Sequence, residues 1–264
     1  MVRSNFDPIA TSFDRHRALP DGVPLALRAA ILKAIGSTRP RLLDLGAGTG
    51  RIGRTFVAAG DDYVGVDRSW GMLKEFLRNT GMGDSGKPQL VLADGGRLPF
   101  PDATFDAAML IRVFGGMRDW RRLLGETRRV MRQSAVLFLG RAVAPADGVD
   151  ALMRQQLDLL LAQMGVRLVG CNTREQAQRW IEAAAQCSSR LSVAAWHTQR
   201  TPRGFLDRHA TGAQFSSLPP AVKGATMKQL GTWAAEAFGS IDAPFAERHE
   251  FELHIFQFNN ASGQ

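Results

Sequence analysis

The apolar positions of this chain switch between two periods. From 22 to 36, Leu25, Leu27, Ile31, Leu32 and Ile35 recur at helical spacing, and Gly36 supplies a stop. A short apolar run over 41–45, bounded by Pro40 and a glycine cluster, predicts a strand buried on both faces. The pattern then alternates: a helix over 50–59, a strand over 63–66 ending at Asp67, a helix over 71–79, and a strand over 90–93 ending at Asp94. A strand over 105–111, a helix over 120–131 and a strand over 134–139 follow. This alternation predicts an α/β fold, a doubly wound Rossmann-like sheet with its ligand site at the carboxyl ends of the strands.

After Arg141 the rhythm changes. Helical patterns cover 148–164 and 173–186, a strand pattern covers 191–197, helices return over 201–210 and 220–238, and 250–258 alternates as a final strand. The expected architecture is a seven-stranded, mostly parallel sheet with an antiparallel final strand and a helical cap inserted after strand five. The whole of 1–264 is expected to form one domain. Its core would span about 37–141 with 188–198 and 249–258, and its cap about 146–187 and 201–240.

Composition narrows the class. The chain has 264 residues, 45% hydrophobic and 22% charged, which suits a globular protein with a sizeable core. The two cysteines, Cys171 and Cys187, have no metal-like spacing and read as reduced thiols. No apolar leader opens the chain, and no apolar run approaches the ~20 residues needed to cross a bilayer. A cytoplasmic location is therefore expected, with no stable membrane insertion; the sequence says nothing of oligomeric state. The net charge of +8 invites a nucleic-acid reading. Its arginines are scattered, however, and the densest group (Arg118, Arg121, Arg122, Arg128, Arg129, Arg132) winds around one amphipathic helix. No aromatic RNA-binding motif accompanies them, so a small-molecule substrate is expected rather than nucleic acid.

The strongest motif is Leu43-Asp44-Leu45-Gly46-Ala47-Gly48-Thr49-Gly50-Arg51. Glycines at 46, 48 and 50 permit a sharp strand-to-helix turn, and the N–H groups opening the next helix are expected to face polar ligand atoms. Gly48, Gly50 and Gly53 also satisfy the dinucleotide fingerprint, and Asp67 lies 19 positions after Gly48. Glycines and Asp67 alone leave NAD and S-adenosylmethionine both open. Asp44 favours the second, because a carboxylate beside a pyrophosphate would repel it. Asp94, followed by Leu98-Pro99-Phe100-Pro101-Asp102 and Phe105-Asp106, also favours it.

These residues resemble the class I S-adenosylmethionine-dependent methyltransferases, especially the small-molecule group that includes ubiquinone and menaquinone C-methyltransferases. The resemblance covers about 40–140. It implies that Asp44, Gly46, Ala47, Gly48 and Gly50 hold the methionine portion of the cofactor and that Asp67 accepts both ribose hydroxyls. Arg68 and Met72 would flank the adenine, with Asp94 and Gly95 at its amino group, and Arg112 would sit near the methyl-transfer point. Phe13 would cover the cofactor and Arg17 would pair with its carboxylate. Two departures stand out: Phe114-Gly115-Gly116 replaces a histidine pair common after the fourth strand, and Arg132-Gln133-Ser134-Ala135 replaces an Arg-Pro-Gly-Gly turn.

Methyl transfer needs a base only when the acceptor carries a proton of high pKa. His197 and His209 are the candidates, with His16 behind them; His249 and His254 are expected to have no chemical role. Phe114, Trp180, Trp196, Phe205 and Phe215 are candidate pocket aromatics. No metal site or nucleophile triad is indicated. The leading expectation is transfer of a methyl group to an O, N or C nucleophile of a small molecule or isoprenoid-like lipid. The alternatives are an RNA methyltransferase, a non-catalytic cofactor-binding relative and an NAD-dependent oxidoreductase.

Overall fold

The structure, a computed structural model, describes residues 7–14, 19–80, 88–114, 119–166, 173–210, 215 and 218–258. A 3-10 helix, Asp7–Ser12, precedes α1 (Gly22–Ile35), β1 (Leu42–Leu45), α2 (Gly53–Ala58), β2 (Tyr63–Asp67), α3 (Trp70–Thr80) and β3 (Gln89–Leu92). Then come β4 (Phe105–Ile111), α4 (Trp120–Val130), β5 (Met131–Val143), α5 (Val149–Gln163), α6 (Thr173–Ala184), β6 (Ala185–Arg200), α7 (Pro202–Ala210), α8 (Pro220–Phe238) and β7 (Phe245–Phe258).

The seven strands lie in the order β3-β2-β1-β4-β5-β7-β6. β7 runs antiparallel to both β5 and β6, and the remaining pairs are parallel. This is the expected doubly wound sheet. The strand order reverses outward from β1 and β4, which places the switch point, and the ligand crevice of such sheets, at their carboxyl ends. β1 is buried at all four positions because helices cover both faces of the sheet.

Two apolar clusters fill the two faces. One joins Leu43, Leu45, Val64, Leu110 and Leu139 to α4 and α6; the other joins Leu42, Met109, Phe138 and Phe251 to α1 and α2. A third cluster belongs to the cap: Val149, Met153, Leu157 and Leu161 of α5 pack with Phe205 of α7 and Leu230 and Ala234 of α8. The helix expected as cap over 173–186 is placed otherwise. Ala177 and Ile181 of α6 are fully buried in the sheet's own cluster, so α6 is a sheet-covering helix and the cap is α5, α7 and α8.

The last three strands run longer than the hydrophobic pattern indicates. β6 spans sixteen residues, yet many of its side chains are solvent-exposed as it forms the sheet's edge. A register shift between Ser192 and Ala194 also breaks its alternation. β5, β6 and β7 thereby overhang the carboxyl ends of the shorter strands, since Ile111, the last residue of β4, pairs with Gly140 and β5 continues to Val143.

Candidate active site

The turn after β1 is built by its neighbours. Gly46, Gly48 and Gly50 have φ of 76°, 58° and 81°, the left-handed region that side chains disfavour. Space adds a second demand. A Cβ on Gly50 would lie 2.5 Å from the ring of Phe76, and one on Gly53 would lie 2.1 Å from the Tyr63 hydroxyl. The third glycine of the dinucleotide-like spacing is thus needed for packing over Tyr63 and Phe76.

The N–H groups of the turn are spent inside the protein. Those of Gly46 and Ala47 both donate to the Val66 carbonyl at 2.8 and 3.0 Å, and that of Gly50 donates to Ala47 at 3.1 Å. The Gly48 N–H donates to Asp67 Oδ2 at 2.9 Å. The N–H groups of Gly46, Ala47, Gly48 and Gly50 are therefore engaged within the protein. At the start of α2, where N–H groups facing a ligand were expected, those of Arg54 and Thr55 donate to the Gly50 and Ile52 carbonyls.

Carboxylates stand at the turn instead. Asp44 is buried and accepts a 2.6 Å hydrogen bond from the hydroxyl of Tyr63, the single tyrosine of the chain. Burial pushes its pKa up to about 7, the Tyr63 bond opposes the rise, and repulsion from Asp67 adds to it. Asp67 ends β2 and accepts from Gly48 N–H and, through Oδ1, from Ser69 N–H at 2.9 Å. Burial raises its pKa as well, against the backbone hydrogen bonds it accepts and Arg68. Two desolvated carboxylates that repel each other are relieved by a cationic ligand and aggravated by an anionic one. The site therefore fits a sulfonium-bearing, ammonium-bearing cofactor, with Asp67 able to accept from vicinal hydroxyls.

The other expected cofactor residues take varied positions. Asp94 is exposed just beyond β3, its Oδ1 accepting from Gly96 N–H at 2.9 Å. Gly95 leaves room for Leu123 of α4, which would lie 2.4 Å from a Cβ there. Arg68 is exposed, whereas Met72 is buried, its N–H donating to Ser69 Oγ at 3.2 Å. The N-terminal segment 7–14, the leader to α1, docks on the turn: Thr49 Oγ1 donates to Asp14 at 2.6 Å, and Arg51 lies 3.7 Å from Asp14 and 5.6 Å from the centre of the Phe13 ring. Asp14 follows the expected cover residue Phe13, and its hydrogen bond to Thr49 was not legible in the sequence. Arg17, His16, Cys171, Gly115 and Gly116 lie outside the described residues. Thr49→Val removes the hydroxyl at near-constant shape. It is expected to cost about 1 kcal/mol, read as a lower Tm and faster proteolysis ahead of α1; unchanged values would detach the leader from the turn.

Neither candidate base is placed as one. His197 is exposed on the edge strand opposite Arg248. His209 stacks on Phe205 with ring centres 3.8 Å apart; its Nε2 lies 2.6 Å from Arg154 Nη2 and its Nδ1 2.9 Å from the Phe205 carbonyl. A neutral ring with hydrogen on Nδ1 satisfies both contacts, and the guanidinium then occupies the lone pair a base would use. Of the pocket aromatics, Phe205 and Phe215 are cap core, Phe114 is sheet core, Trp180 packs against Trp120 at 6.2 Å, and Trp196 sits 5.9 Å from His249.

Of the residues that bridge sheet and cap, only Arg112 was expected from the sequence; Glu247, Asp150, Arg200 and Arg208 were not. Buried Glu247 accepts from Val149 N–H at 2.6 Å, at the start of α5, and lies 2.7 Å from His249 Nε2. Arg112, just past β4, has φ 59° and faces Arg208 and Arg200, whose like charges, after desolvation, lower its pKa; Asp150 opposes them. Arg208 and Asp150 form an ion pair, and Arg200 Nε lies 3.8 Å from Asp150. Elsewhere the surplus arginines are tied locally. Arg129 pairs with Glu126 and Asp102, Arg132 with Asp106, Arg28 with Asp61 and Arg203 with Asp242, while Arg121 covers the Trp120 ring. Of the basic cluster read on α4, Arg129 and Arg132 thus have carboxylate partners and Arg121 an aromatic one, while Arg118 lies outside the described residues.

Comparison with known proteins agrees with this geometry. Residues 43–139 match the methyltransferase domain family. Demethylmenaquinone methyltransferase of Clavibacter sepedonicus is 30% identical over 210 residues, covering 78% of this chain and 80% of that protein. Matches to several other relatives of that name cover about three fifths of those proteins. Among solved structures, the YcgJ protein of Bacillus subtilis superposes with a TM-score of 0.55 at 19% identity, over 88% of this chain and 98% of that one. Phosphoethanolamine N-methyltransferase 2 of Haemonchus contortus, solved with S-adenosyl-L-methionine, gives 0.53 at 15% identity, over 98% and 61%.

Proposed function

We infer the function from one premise: this chain belongs to the class I S-adenosylmethionine-dependent methyltransferase family. It is an enzyme, and S-adenosylmethionine is its cofactor. The acceptor is the inferred part. We propose that it is a small molecule held between the carboxyl edge of the sheet and the cap. Relatives at 30% identity are named for demethylmenaquinone, which makes a reduced naphthoquinone ring the first acceptor to assay.

The observation that carries this reading is the pair Asp44 and Asp67 beside a turn in which the N–H groups of Gly46, Ala47, Gly48 and Gly50 are already used. Such a site selects positive charge and hydroxyls. When bound, the cofactor supplies a methyl group on a positively charged sulfur, ready to be taken by a nucleophile. The chain's own task is to hold the acceptor in line at near-attack distance and to keep water out. Asp67 would orient the ribose from the end of β2. Asp44, ionised, would face the cationic portion. The cap, fixed to the sheet by Glu247, would close the acceptor side. No helix among the described residues is long and apolar enough to cross a membrane.

The test is transfer of labelled methyl to a demethylated naphthoquinol and, separately, to total RNA. Label in the quinol or another small-molecule fraction supports the reading. Label confined to RNA would overturn it.

A further inference from the structure

Three guanidinium groups meet where the cap closes over the sheet. Arg112 follows β4, Arg200 ends β6, and Arg208 lies in the last turn of α7. Asp150, in the first turn of α5, pairs with this group and is shared between Arg208 and Arg200. Glu247 also acts on Arg208, but its two oxygens are committed to Val149 N–H and His249. Positive charge is left over, and it is concentrated on Arg112. Its guanidinium makes no hydrogen bond or ion pair with any described residue, and its strongest charged neighbours are two other arginines.

Arg112 also has the features of a group at the mouth of a cleft. It keeps solvent access, yet surrounding protein desolvates it. It holds a left-handed backbone at φ 59°, which costs a non-glycine residue on the order of 1 kcal/mol. The next residue, Val113, places its Cγ2 2.9 Å from where a Cβ on Gly46 would stand, so this loop abuts the cofactor turn. Like charges gathered around an unpaired, accessible arginine are stabilised when an anion enters among them.

We propose that Arg112, Arg200 and Arg208 form a binding site for an oxyanion, a carboxylate or phosphate carried by the acceptor, which makes the acceptor an acidic small molecule rather than a neutral naphthoquinol. The acceptor's part in this rests on the methyltransferase reading; the anion site itself does not. A carboxylate could also come from the cofactor's own methionine portion. The geometry favours the acceptor, because the charged neighbours of Arg112 come from α5, α7 and the end of β6 rather than from the glycine turn. A second arginine group, Arg141, Arg174 and Arg190, has its own carboxylate: Glu252 pairs with Arg141 and Arg190.

The test uses the full chain loaded with S-adenosylhomocysteine and titrated calorimetrically with benzoate, inorganic phosphate and neutral benzamide. Benzoate or phosphate is expected to bind, more weakly at higher salt, and benzamide is not. Arg112→Gln is expected to weaken the anion at least tenfold, with Arg112→Lys between, while affinity for S-adenosylmethionine stays within about twofold. Such a change is reasonable for loss of one charge-assisted contact. Because Arg112 holds no described partner, the variant should keep the parent Tm, which is measured alongside. Benzoate and benzamide binding equally, or anion affinity unchanged in Arg112→Gln, would overturn the proposal. So would a tenfold loss of S-adenosylmethionine affinity, which would assign Arg112 to the cofactor. If S-adenosylmethionine binds neither protein, the methyltransferase reading fails, and the anion titrations in the unloaded chain still decide this site.

Discussion

Asp44→Asn is expected to remove a fall in stability of about 4 kcal/mol that the ligand-free parent shows as pH rises from about 4 to about 7. The buried carboxyl titrates near 7 instead of at its ordinary 3.8. At about 1.4 kcal/mol per pH unit, that displacement gives the figure. The sign follows from which state holds the proton. Below 3.8 both folded and unfolded chains are protonated, and the full contribution is present. As pH rises the unfolded chain loses its proton first, and the folded chain keeps it until about 7, so stability declines across that window and levels off above it. Asparagine keeps an acceptor for Tyr63 and cannot titrate. Urea unfolding of both proteins at several pH values reads the difference directly; equal pH slopes would contradict the burial of an ionisable Asp44. Cofactor affinity should run the other way. A cationic ligand prefers the ionised carboxylate, so S-adenosylmethionine binding should tighten up to about tenfold per pH unit on approaching pH 7 from below, and Asp44→Asn should flatten that rise.

Asp67→Ala is expected to weaken S-adenosylmethionine by roughly 1.5–3 kcal/mol, the scale of charge-assisted hydrogen bonds and about 10- to 150-fold in Kd. Two effects combine. The hydroxyl acceptor disappears, and the N–H groups of Gly48 and Ser69 lose the carboxylate that orients the turn and the start of α3. Asparagine is no neutral substitute, since its NH2 would face one of those two donors. Asp67→Asn should therefore lose most of the affinity that Asp67→Ala loses. Calorimetry that found either variant binding as the parent does would remove Asp67 from the site.

The first half of the chain was largely legible because its signals are local. Leu42 to Leu45 are buried on both faces, so a continuous apolar run bounded by Pro40 and glycines marks β1 without knowledge of the rest. The glycine turn and the aspartates at the strand ends are likewise set by short-range geometry. Legibility fell where burial depends on a distant partner. The small apolar stripe of α6, Ala177 and Ile181, fits a cap or a sheet equally well in sequence, and only packing against α4 and β6 assigns it. The extra length of β6 was hidden by its exposed polar face and its register shift. The partners of the Gly46 and Ala47 N–H groups were hidden because their acceptor, the Val66 carbonyl, lies on another strand. His209 looked like a base because Arg154 is 55 positions away. Arg112 and Asp150 lie far in sequence from Arg200 and Arg208, and the packing of the cap brings the four together.

Buried carboxylates beside the glycine turn select S-adenosylmethionine over NAD. Isothermal titration of the purified chain with S-adenosylmethionine and with NAD at pH 8 tests this most directly. Binding of S-adenosylmethionine with no heat from NAD is the expected result; binding of NAD with none of S-adenosylmethionine would contradict it.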